Sequence, residues 1–413
     1  MATKISTKTR FPHGAVFLII FLLLLQPHVS CSRKLLPASA DPHSSADPPT
    51  DNNGLQQKSC KFDKMFNLGD ASSDTGNRVR ENQSEIPCSS FPYGITLGRP
   101  TGRCSNGLLM IDYFARAFGL PYLNPYEADW EVFDNGVNFA VAGATALPVE
   151  TLQAKGLPSH KGNTDYWLGT IGIQSLHIAT KSSLSVQIER MSTYFNKTCK
   201  TRAACKEYLQ NSVFFVGNIG ETDFNFAFFG LGGSEFVGLT REIVKSIMEG
   251  VRAVIRFGAT KVIVPGRFPI GCLPMSLNYH NPAEDSPSFY DSNQCLKGYN
   301  SWAAHHNEIL KVAIEDLKRE HPDVTIVYAD YYNAYLSLLT NAEKLGFENK
   351  FSASCRSGDR FNFSFDKTCG KAESCSNPES YISWDGFTTT QQANKFMVDY
   401  LLDSIMPQLN CSS

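Results

Sequence analysis

The chain contains 413 residues, of which 42% are apolar and 19% are charged. An apolar content this high can bury a full core, which excludes disorder for the bulk of the chain. The 38 Lys and Arg residues are matched by 40 Asp and Glu residues, and the formal net charge is −2. Because binding to a phosphate backbone requires a surplus of positive charge, a nucleic-acid partner is not expected.

The N-terminal segment has the pattern of a secretory signal peptide. Basic residues precede an apolar run and small residues follow it, in the order Lys4, Lys8, Arg10, Ala15–Leu25, Ser30, Cys31 and Ser32. The run is too short to cross ~30 Å of hydrocarbon as a helix, so a cleaved signal over residues 1–32 is favoured over a retained anchor. Residues 33–59 are rich in Pro, Ser, Asp and Asn, which predicts a flexible leader. One folded domain is expected over residues 60–413, with no membrane span in the mature protein.

Two further features agree with the secretory route. Four tripeptides have the Asn-x-Ser/Thr pattern of N-glycosylation, at Asn82, Asn196, Asn362 and Asn410. The 12 cysteines are typical of a protein that forms disulfides in an oxidising compartment. Cys355, Cys369 and Cys375 lack the paired spacing of a zinc site, which favours disulfides there. We therefore expect an extracellular glycoprotein, with the ER lumen or the vacuole as alternatives.

Short apolar segments and longer helical segments alternate along the rest of the chain. The predicted strands are Lys64–Leu68, Val213–Val216, Lys261–Val264 and Val324–Tyr328. The predicted helices are Asn106–Phe118, Thr240–Phe257, Leu296–Glu320 and Thr389–Leu402. Short buried strands that alternate with helices indicate a mainly parallel sheet covered on both faces, in a single three-layer α/β/α domain. In such sheets ligands bind in the loops at the carboxyl ends of the strands.

Four sequence blocks lie in such loops or near the C-terminus. They are Phe66–Asn77 (FNLGDASSDTGN), Gly136–Thr145 (GVNFAVAGAT), Gly217–Asp223 (GNIGETD) and Ser383–Thr388 (SWDGFT). In this order the blocks resemble the plant GDSL esterase/lipase family of the SGNH hydrolase superfamily, and the resemblance covers about residues 62–405. It implies the flavodoxin-like SGNH hydrolase fold, with the four blocks converging at one end of the sheet.

The resemblance also implies a mechanism of ester hydrolysis. In the family, a Ser in Gly-Asp-Ser attacks the ester carbonyl, and a His in a C-terminal Asp-x-x-His takes its proton while the Asp orients the imidazole. The oxyanion is held by the nucleophile's own N–H, a Gly N–H of the second block and the Asn of Gly-x-Asn-Asp.

This sequence departs from the family pattern at three positions. Ala71 stands at the position of the nucleophile, Thr222 at that of the oxyanion Asn, and Thr388 at that of the His. Gly143 and Asp385 match the pattern. The sequence therefore keeps parts of the oxyanion site but not the nucleophile or the base.

Neighbouring residues offer no simple replacement. Ser72 and Ser73 adjoin the nucleophile position, but a shift of one residue redirects a side chain, and a nucleophile must lie within roughly 3 Å of its base. No His follows His321, and His305 and His306 are expected to have structural or surface roles. In a serine hydrolase, loss of the nucleophile or the base costs ~10⁶ in kcat. Ordinary Ser–His hydrolysis is therefore not expected.

Three functions remain open. The favoured one is an inactive family member that binds a small ester or plant metabolite, a glycan or a protein. The second is a non-hydrolytic enzyme of plant specialised metabolism, a cyclase, isomerase or lyase, in which Asp385 or Asp70 acts as acid or base unless these carboxylates only cap turns. The third is a carboxylic ester hydrolase with an atypical nucleophile. No motif requires a metal or an organic cofactor.

Glycosylation gives the most direct test of the secretory route. We expect endoglycosidase treatment of the plant-expressed protein to increase its electrophoretic mobility, and Asn196→Gln to remove one glycan. Asn211→Gln is the matched control, because Asn211 is followed by Ser and Val and forms no sequon. A mobility that endoglycosidase does not change would contradict a passage through the ER to the apoplast or vacuole.

Overall fold

The computed structural model describes residues 60–81, 86–128, 132–157, 180–228, 233–280, 286–356, 360–364, 369, 373–374 and 376–410. The predicted signal peptide (1–32), the predicted leader (33–59) and the sequon at Asn82 lie outside the described residues.

Five parallel strands form the central sheet. They are β1 (Lys64–Leu68), β2 (Gly136–Asn138), β3 (Ser212–Val216), β4 (Lys261–Pro265) and β5 (Thr325–Ala329). Their order across the sheet is β2-β1-β3-β4-β5, and every neighbouring pair is parallel. The four predicted strands are confirmed to within one residue at each end. The sequence did not indicate β2, because its three residues are too few to show a pattern.

Two small sheets lie outside the central one. β6 (Asn349–Ala353) pairs in parallel with β9 (Tyr381–Ser383), and β7 (Cys355–Arg356) pairs antiparallel with β8 (Glu373–Ser374). β9 matters for the site, because the C-terminal sequence block begins at its last residue.

Helices cover both faces of the central sheet, as a parallel sheet requires. They are α1 (Asn77–Glu81), α2 (Met110–Ala117), α3 (Val149–Ala154), α4 (Leu184–Thr198), α5 (Arg202–Tyr208), α6 (Glu221–Phe228), α7 (Gly233–Phe257), α8 (Pro274–Tyr279), α9 (Lys297–Glu320), α10 (Tyr331–Thr340) and α11 (Gln391–Gln408). Helices α2, α10 and α11 pack on one face, and α4, α7 and α9 pack on the other. The predicted three-layer α/β/α fold is confirmed.

The core consists of two apolar clusters separated by the sheet. Successive residues of β1 alternate between them: Met65 belongs to one cluster, and Phe66 and Leu68 belong to the other. Phe214 and Phe215 of β3 alternate in the same way. Because both faces of these strands are buried, their sequences read as continuous apolar runs, which is why they could be predicted.

The predicted start of the first long helix, at Asn106, is wrong. Helix α2 begins at Met110. The carboxylate of Asp112 caps this start, because it accepts a hydrogen bond from the Leu109 N–H at 2.8 Å. The side chain of Asn106 instead binds Glu379 at 3.0 Å and the backbone N–H of Gln391 at 2.7 Å. These long-range hydrogen bonds hold residues 105–108 in an irregular conformation. The other three predicted helices exist, although α7 begins earlier and α11 begins later and ends later than predicted.

Four disulfides link described cysteines: Cys88–Cys104, Cys199–Cys205, Cys272–Cys295 and Cys355–Cys369. The expectation of a disulfide in the C-terminal cysteine group is therefore confirmed for Cys355 and Cys369, whereas Cys375 lies outside the described residues. Within the described ranges, no helix combines the length and the apolar character needed to cross a bilayer.

Candidate functional site

The strand order creates a crevice above the carboxyl ends of β1 and β3. The chain leaves β1 toward β2 and leaves β3 toward β4, so the two loops separate in opposite directions at the centre of the sheet. Such a switch point is the usual place for a ligand in an open parallel sheet. The first and third sequence blocks, at Phe66–Asn77 and Gly217–Asp223, occupy these two loops.

Asp74 joins the first block to the second. Its buried carboxylate accepts hydrogen bonds from the N–H groups of Gly76 at 2.7 Å, Asn77 at 2.7 Å and Arg78 at 3.0 Å. It also accepts a hydrogen bond at 2.8 Å from the N–H of Ala142, which lies in the second block. Burial raises the pKa of Asp74, and the four hydrogen bonds oppose that rise. The two blocks are thereby held in one fixed arrangement.

Asp223 joins the third block to the two residues that directly follow the second block. Its carboxylate accepts the N–H groups of Ala146 at 2.7 Å and Leu147 at 3.0 Å. Burial raises the pKa of Asp223 to about 6, although these hydrogen bonds lower it. Its neighbour Thr222 is buried, with 5% of its surface exposed. Asp223 thus links the two segments, and Thr222 is buried next to it.

Two backbone N–H groups remain from the oxyanion site that the resemblance implies. Gly143 has a φ of 79°, a left-handed conformation that favours glycine. In the described part of the chain, neither the N–H of Gly143 nor that of Ala71 donates a hydrogen bond to a protein group. Both are thus free to bind a ligand oxygen.

The C-terminal block packs against the other blocks. Trp384 is fully buried in a small apolar cluster with Ala142 and Tyr93, and Ala71 packs against the same cluster. The expectation that the four blocks converge at one end of the sheet is therefore confirmed.

Asp385 is held by its own turn and by a distant tyrosine. One carboxylate oxygen accepts hydrogen bonds from the N–H groups of Phe387 at 3.0 Å and Thr388 at 2.8 Å, and from the Thr388 hydroxyl at 2.9 Å. The other accepts the hydroxyl of Tyr93 at 2.9 Å. Burial and the neighbouring carboxylate raise the pKa of Tyr93 well above its usual value, so this hydroxyl stays protonated and donates. Thr388 supplies the hydrogen bond that a histidine would make at its position.

The two serines beside Ala71 point to different surroundings. The hydroxyl of Ser72 donates to the carboxylate of Asp70 at 3.0 Å, and its N–H donates to the same oxygen at 3.1 Å. The side-chain amide of Asn218 contacts the Ser72 hydroxyl from the loop after β3. The Ser73 hydroxyl is buried against Gly69 and has no hydrogen-bond partner among the described groups. Only Ser72 is half-buried and directed between the two loops.

The two histidines on α9 do not take the place of the His that the resemblance implies for the C-terminal block. His305 is exposed on α9. His306 is buried on α9 with its ring edge-on to Phe224, and burial lowers its pKa well below the usual value. It is therefore a neutral core residue near neutral pH.

The sequence did not indicate an ion pair beside the crevice. Arg267 follows β4, and its guanidinium binds the carboxylate of Glu221 at 2.7 Å and stacks on the ring of Phe224 at 3.8 Å. The only sequence signal was a charged residue shortly after a buried strand, which by itself names no partner. The half-buried Asn218 was missed for the same reason, since its contact with Ser72 joins residues far apart in the chain.

The carboxylate of Asp70 is buried beside Ser72. Its side chain is buried, with 5% exposure, and this burial raises its pKa to about 7. The hydrogen bonds from Ser72 and the charge of Arg267 lower the pKa, whereas the charge of Glu221 raises it. A carboxyl group with this pKa exchanges a proton near neutral pH.

The described residues contain no group of three or more His, Cys, Asp or Glu side chains arranged to hold a metal ion.

Comparison with known proteins identifies relatives over most of the chain. The family profile described as GDSL-like Lipase/Acylhydrolase matches residues 65–401. Acetylajmalan esterase 2 of Rauvolfia serpentina is 39% identical over 358 residues, which cover 86% of this chain and 93% of the relative. Acetylajmalan esterase 1 of the same plant is 38% identical over 360 residues, covering 86% and 89%. A GDSL esterase/lipase of Arabidopsis thaliana is 35% identical over 350 residues, covering 83% and 84%.

The raised pKa of Asp70 predicts a pH-dependent stability difference. The folded state keeps a proton on Asp70 up to about pH 7, whereas an unfolded Asp loses it near pH 4, so the protein loses stability as the pH rises between these values. Asp70→Asn cannot titrate and still accepts the two Ser72 hydrogen bonds. We expect the free energy of unfolding of Asp70→Asn to rise relative to the parent by up to about 1.4 kcal/mol per pH unit in this interval.

Urea unfolding at pH 4, 5.5 and 7 measures this difference. The exposed Asp323 provides the matched control, and Asp323→Asn should give a curve parallel to that of the parent. Parallel curves for Asp70→Asn and the parent would show that Asp70 ionises normally in the folded state.

Proposed function

Because this chain belongs to the GDSL-like lipase/acylhydrolase family yet carries Ala71, Thr222 and Thr388, we propose that it binds a small organic molecule in the crevice without Ser–His ester hydrolysis. The observation that carries the proposal is the hydrogen bond between Thr388 and Asp385. The carboxylate that would orient a catalytic imidazole is satisfied by a hydroxyl that cannot act as a base near neutral pH.

The size of the lost contributions supports this proposal. Removal of the nucleophile or of the base costs about 10⁶ in kcat, and removal of one oxyanion donor costs about 10²–10³. The N–H groups of Ala71 and Gly143 still favour a ligand with a carbonyl or similar oxygen. Such groups bind a polar ligand but supply neither a nucleophile nor a base.

Ser72 is a poor substitute nucleophile. In the family mechanism the nucleophile's own N–H stabilises the oxyanion, but the N–H of Ser72 already binds Asp70. The free N–H belongs to Ala71, whose methyl group cannot attack a carbonyl. This distribution of donors argues against an ester hydrolase with an atypical nucleophile at this position.

The ligand class follows from the crevice and from the relatives. Two of the Rauvolfia relatives are named for esterases of acetylajmalan, so we propose an ester or another oxygenated plant metabolite as the ligand. A glycan or protein partner is the alternative. The proposed location is the apoplast, with the ER lumen or vacuole as alternatives.

A second function, non-hydrolytic acid–base chemistry, is favoured by the contact between Ser72 and Asp70.

Restoration of the missing side chains tests the proposal. We expect the parent to show no hydrolysis of p-nitrophenyl acetate above background and no labelling by a fluorophosphonate probe. The triple variant Ala71→Ser, Thr222→Asn, Thr388→His should recover measurable hydrolysis, because Ala71, Gly143 and Asp385 occupy one fixed site. Ala71→Ser alone should recover almost none, since its hydroxyl would lack a base.

The recovered rate need not equal that of an ordinary esterase, because a displacement of about 1 Å can cost ~10²-fold. Fluorophosphonate labelling of the parent, mapped to Ser72 by peptide mass spectrometry, would overturn the proposal in favour of an atypical nucleophile. A folded triple variant without any gain would show that the crevice has been rebuilt beyond these three side chains.

A further inference from the structure

The hydroxyl of Ser72 has one lone pair left for a ligand. A serine hydroxyl can donate one hydrogen bond and accept two. Its proton is donated to the carboxylate of Asp70 at 3.0 Å, and one lone pair accepts the amide of Asn218. No other described group donates to this oxygen. Ser72 and Asn218 are half-buried, whereas Asp70 lies behind them with 5% exposure.

The backbone holds Asn218 in place for this contact. Gly217 and Asn218 both have positive φ, 139° and 46° respectively, in the loop that follows β3. A non-glycine residue in this region costs free energy unless the surrounding structure supports it, and such residues cluster at functional sites. The contact with Ser72 joins the two loops at the switch point of the sheet.

We propose that Asp70, Ser72 and Asn218 form a proton relay that removes a proton from, or returns one to, a neutral molecule bound in the crevice. This inference rests on the part of the proposed function that places a small organic molecule in the crevice, and it does not depend on the absence of ester hydrolysis. In this relay Ser72 contacts the ligand, Asp70 holds the proton, and Asn218 positions the Ser72 hydroxyl.

The relay balances without any further reactant. The X–H bond of the ligand breaks and its proton bonds to the Ser72 oxygen, while the original Ser72 proton passes to the Asp70 carboxylate. The electron pair stays on the ligand, where it moves onto an adjacent carbonyl or expels a leaving group. The reverse transfer returns the proton, so an isomerisation or an elimination needs no oxidant and no covalent intermediate.

The charged groups around Asp70 favour a neutral ligand. Glu221 on α6 faces it with negative charge, and Arg267 after β4 faces it with positive charge. Tyr331 on α10 is also close, since the charge of Asp70 contributes to the raised pKa of that phenol. Because Glu221 and Arg267 bind each other at 2.7 Å, their charges largely cancel at the crevice. The substrate class is therefore a neutral molecule with a proton made acidic by a neighbouring carbonyl or leaving group.

The elimination of 5-nitrobenzisoxazole by the full mature protein tests the relay. In this reaction a base removes one carbon-bound proton, the N–O bond breaks, and a coloured cyanophenolate forms. We expect kcat/KM to rise with pH and to level off above about pH 7, as Asp70 ionises. Asp70→Asn should lower kcat/KM at pH 8 at least ~10²-fold, and Ser72→Ala should lower it at least ~10-fold, since general base catalysis contributes ~10²–10⁴.

Ser73→Ala is the matched control, because it removes a neighbouring hydroxyl that does not contact Asp70; its rate should equal that of the parent. If Asp70→Asn fails to fold, Ser72→Ala carries the test, because Ser72 is half-buried in a loop. The relay is overturned if kcat/KM of the parent at pH 8 does not exceed that of Ser72→Ala. It is also overturned if kcat/KM of the parent does not change with pH.

The two proposals fail in different ways. Fluorophosphonate labelling of Ser72 together with an elimination that depends on Asp70 would overturn the proposed function and keep the relay. The absence of both labelling and elimination would overturn the relay and keep the proposed function.

Discussion

The arrangement of the site depends on one buried carboxylate, Asp74, and the backbone N–H groups that it accepts. Three such hydrogen bonds fix the turn after β1 itself, and a fourth, from the N–H of Ala142, connects this turn with the segment that carries Gly143. Each hydrogen bond to a charged acceptor contributes about 1.5–3 kcal/mol, so together they offset part of the cost of burying the charge, and the pKa of Asp74 remains raised. The side chains of Asn77 and Asn138 add further hydrogen bonds between the same two segments.

The carboxylates of the site differ in the number of donors that reach them. Asp74 accepts four backbone N–H groups and Asp385 accepts four groups in all, which commits both to structure. Among the described groups, only the N–H and the hydroxyl of Ser72 donate to the carboxylate of Asp70. Fewer hydrogen bonds therefore oppose the rise in pKa that burial causes at Asp70 than at Asp74. The difference arises from the loop geometry, since all three residues are aspartates.

The sheet could be predicted from the sequence because its strands are short and apolar on both faces. The convergence of the four blocks was implied by the family resemblance, because the fourth block follows β9, which lies outside the central sheet. The start of α2 could not be predicted, because Asn106 forms hydrogen bonds with residues more than 270 positions away. The contacts of Asn218 with Ser72, of Tyr93 with Asp385 and of Arg267 with Glu221 were missed for the same reason. Local patterns predict elements, whereas these pairs depend on how the elements are placed.

The bond between Thr388 and Asp385 has an evolutionary consequence. A histidine exchanged for an apolar residue would remove a donor from the carboxylate and would be selected against for its cost in folding alone. Threonine provides such a donor at 2.9 Å, so the carboxylate has a hydrogen-bond partner without an imidazole. An exchange between histidine and threonine at this position would leave the carboxylate with a donor in either direction. The turn itself uses Asp385, through the N–H groups of Phe387 and Thr388, so an Asp in this block is by itself no sign of catalysis.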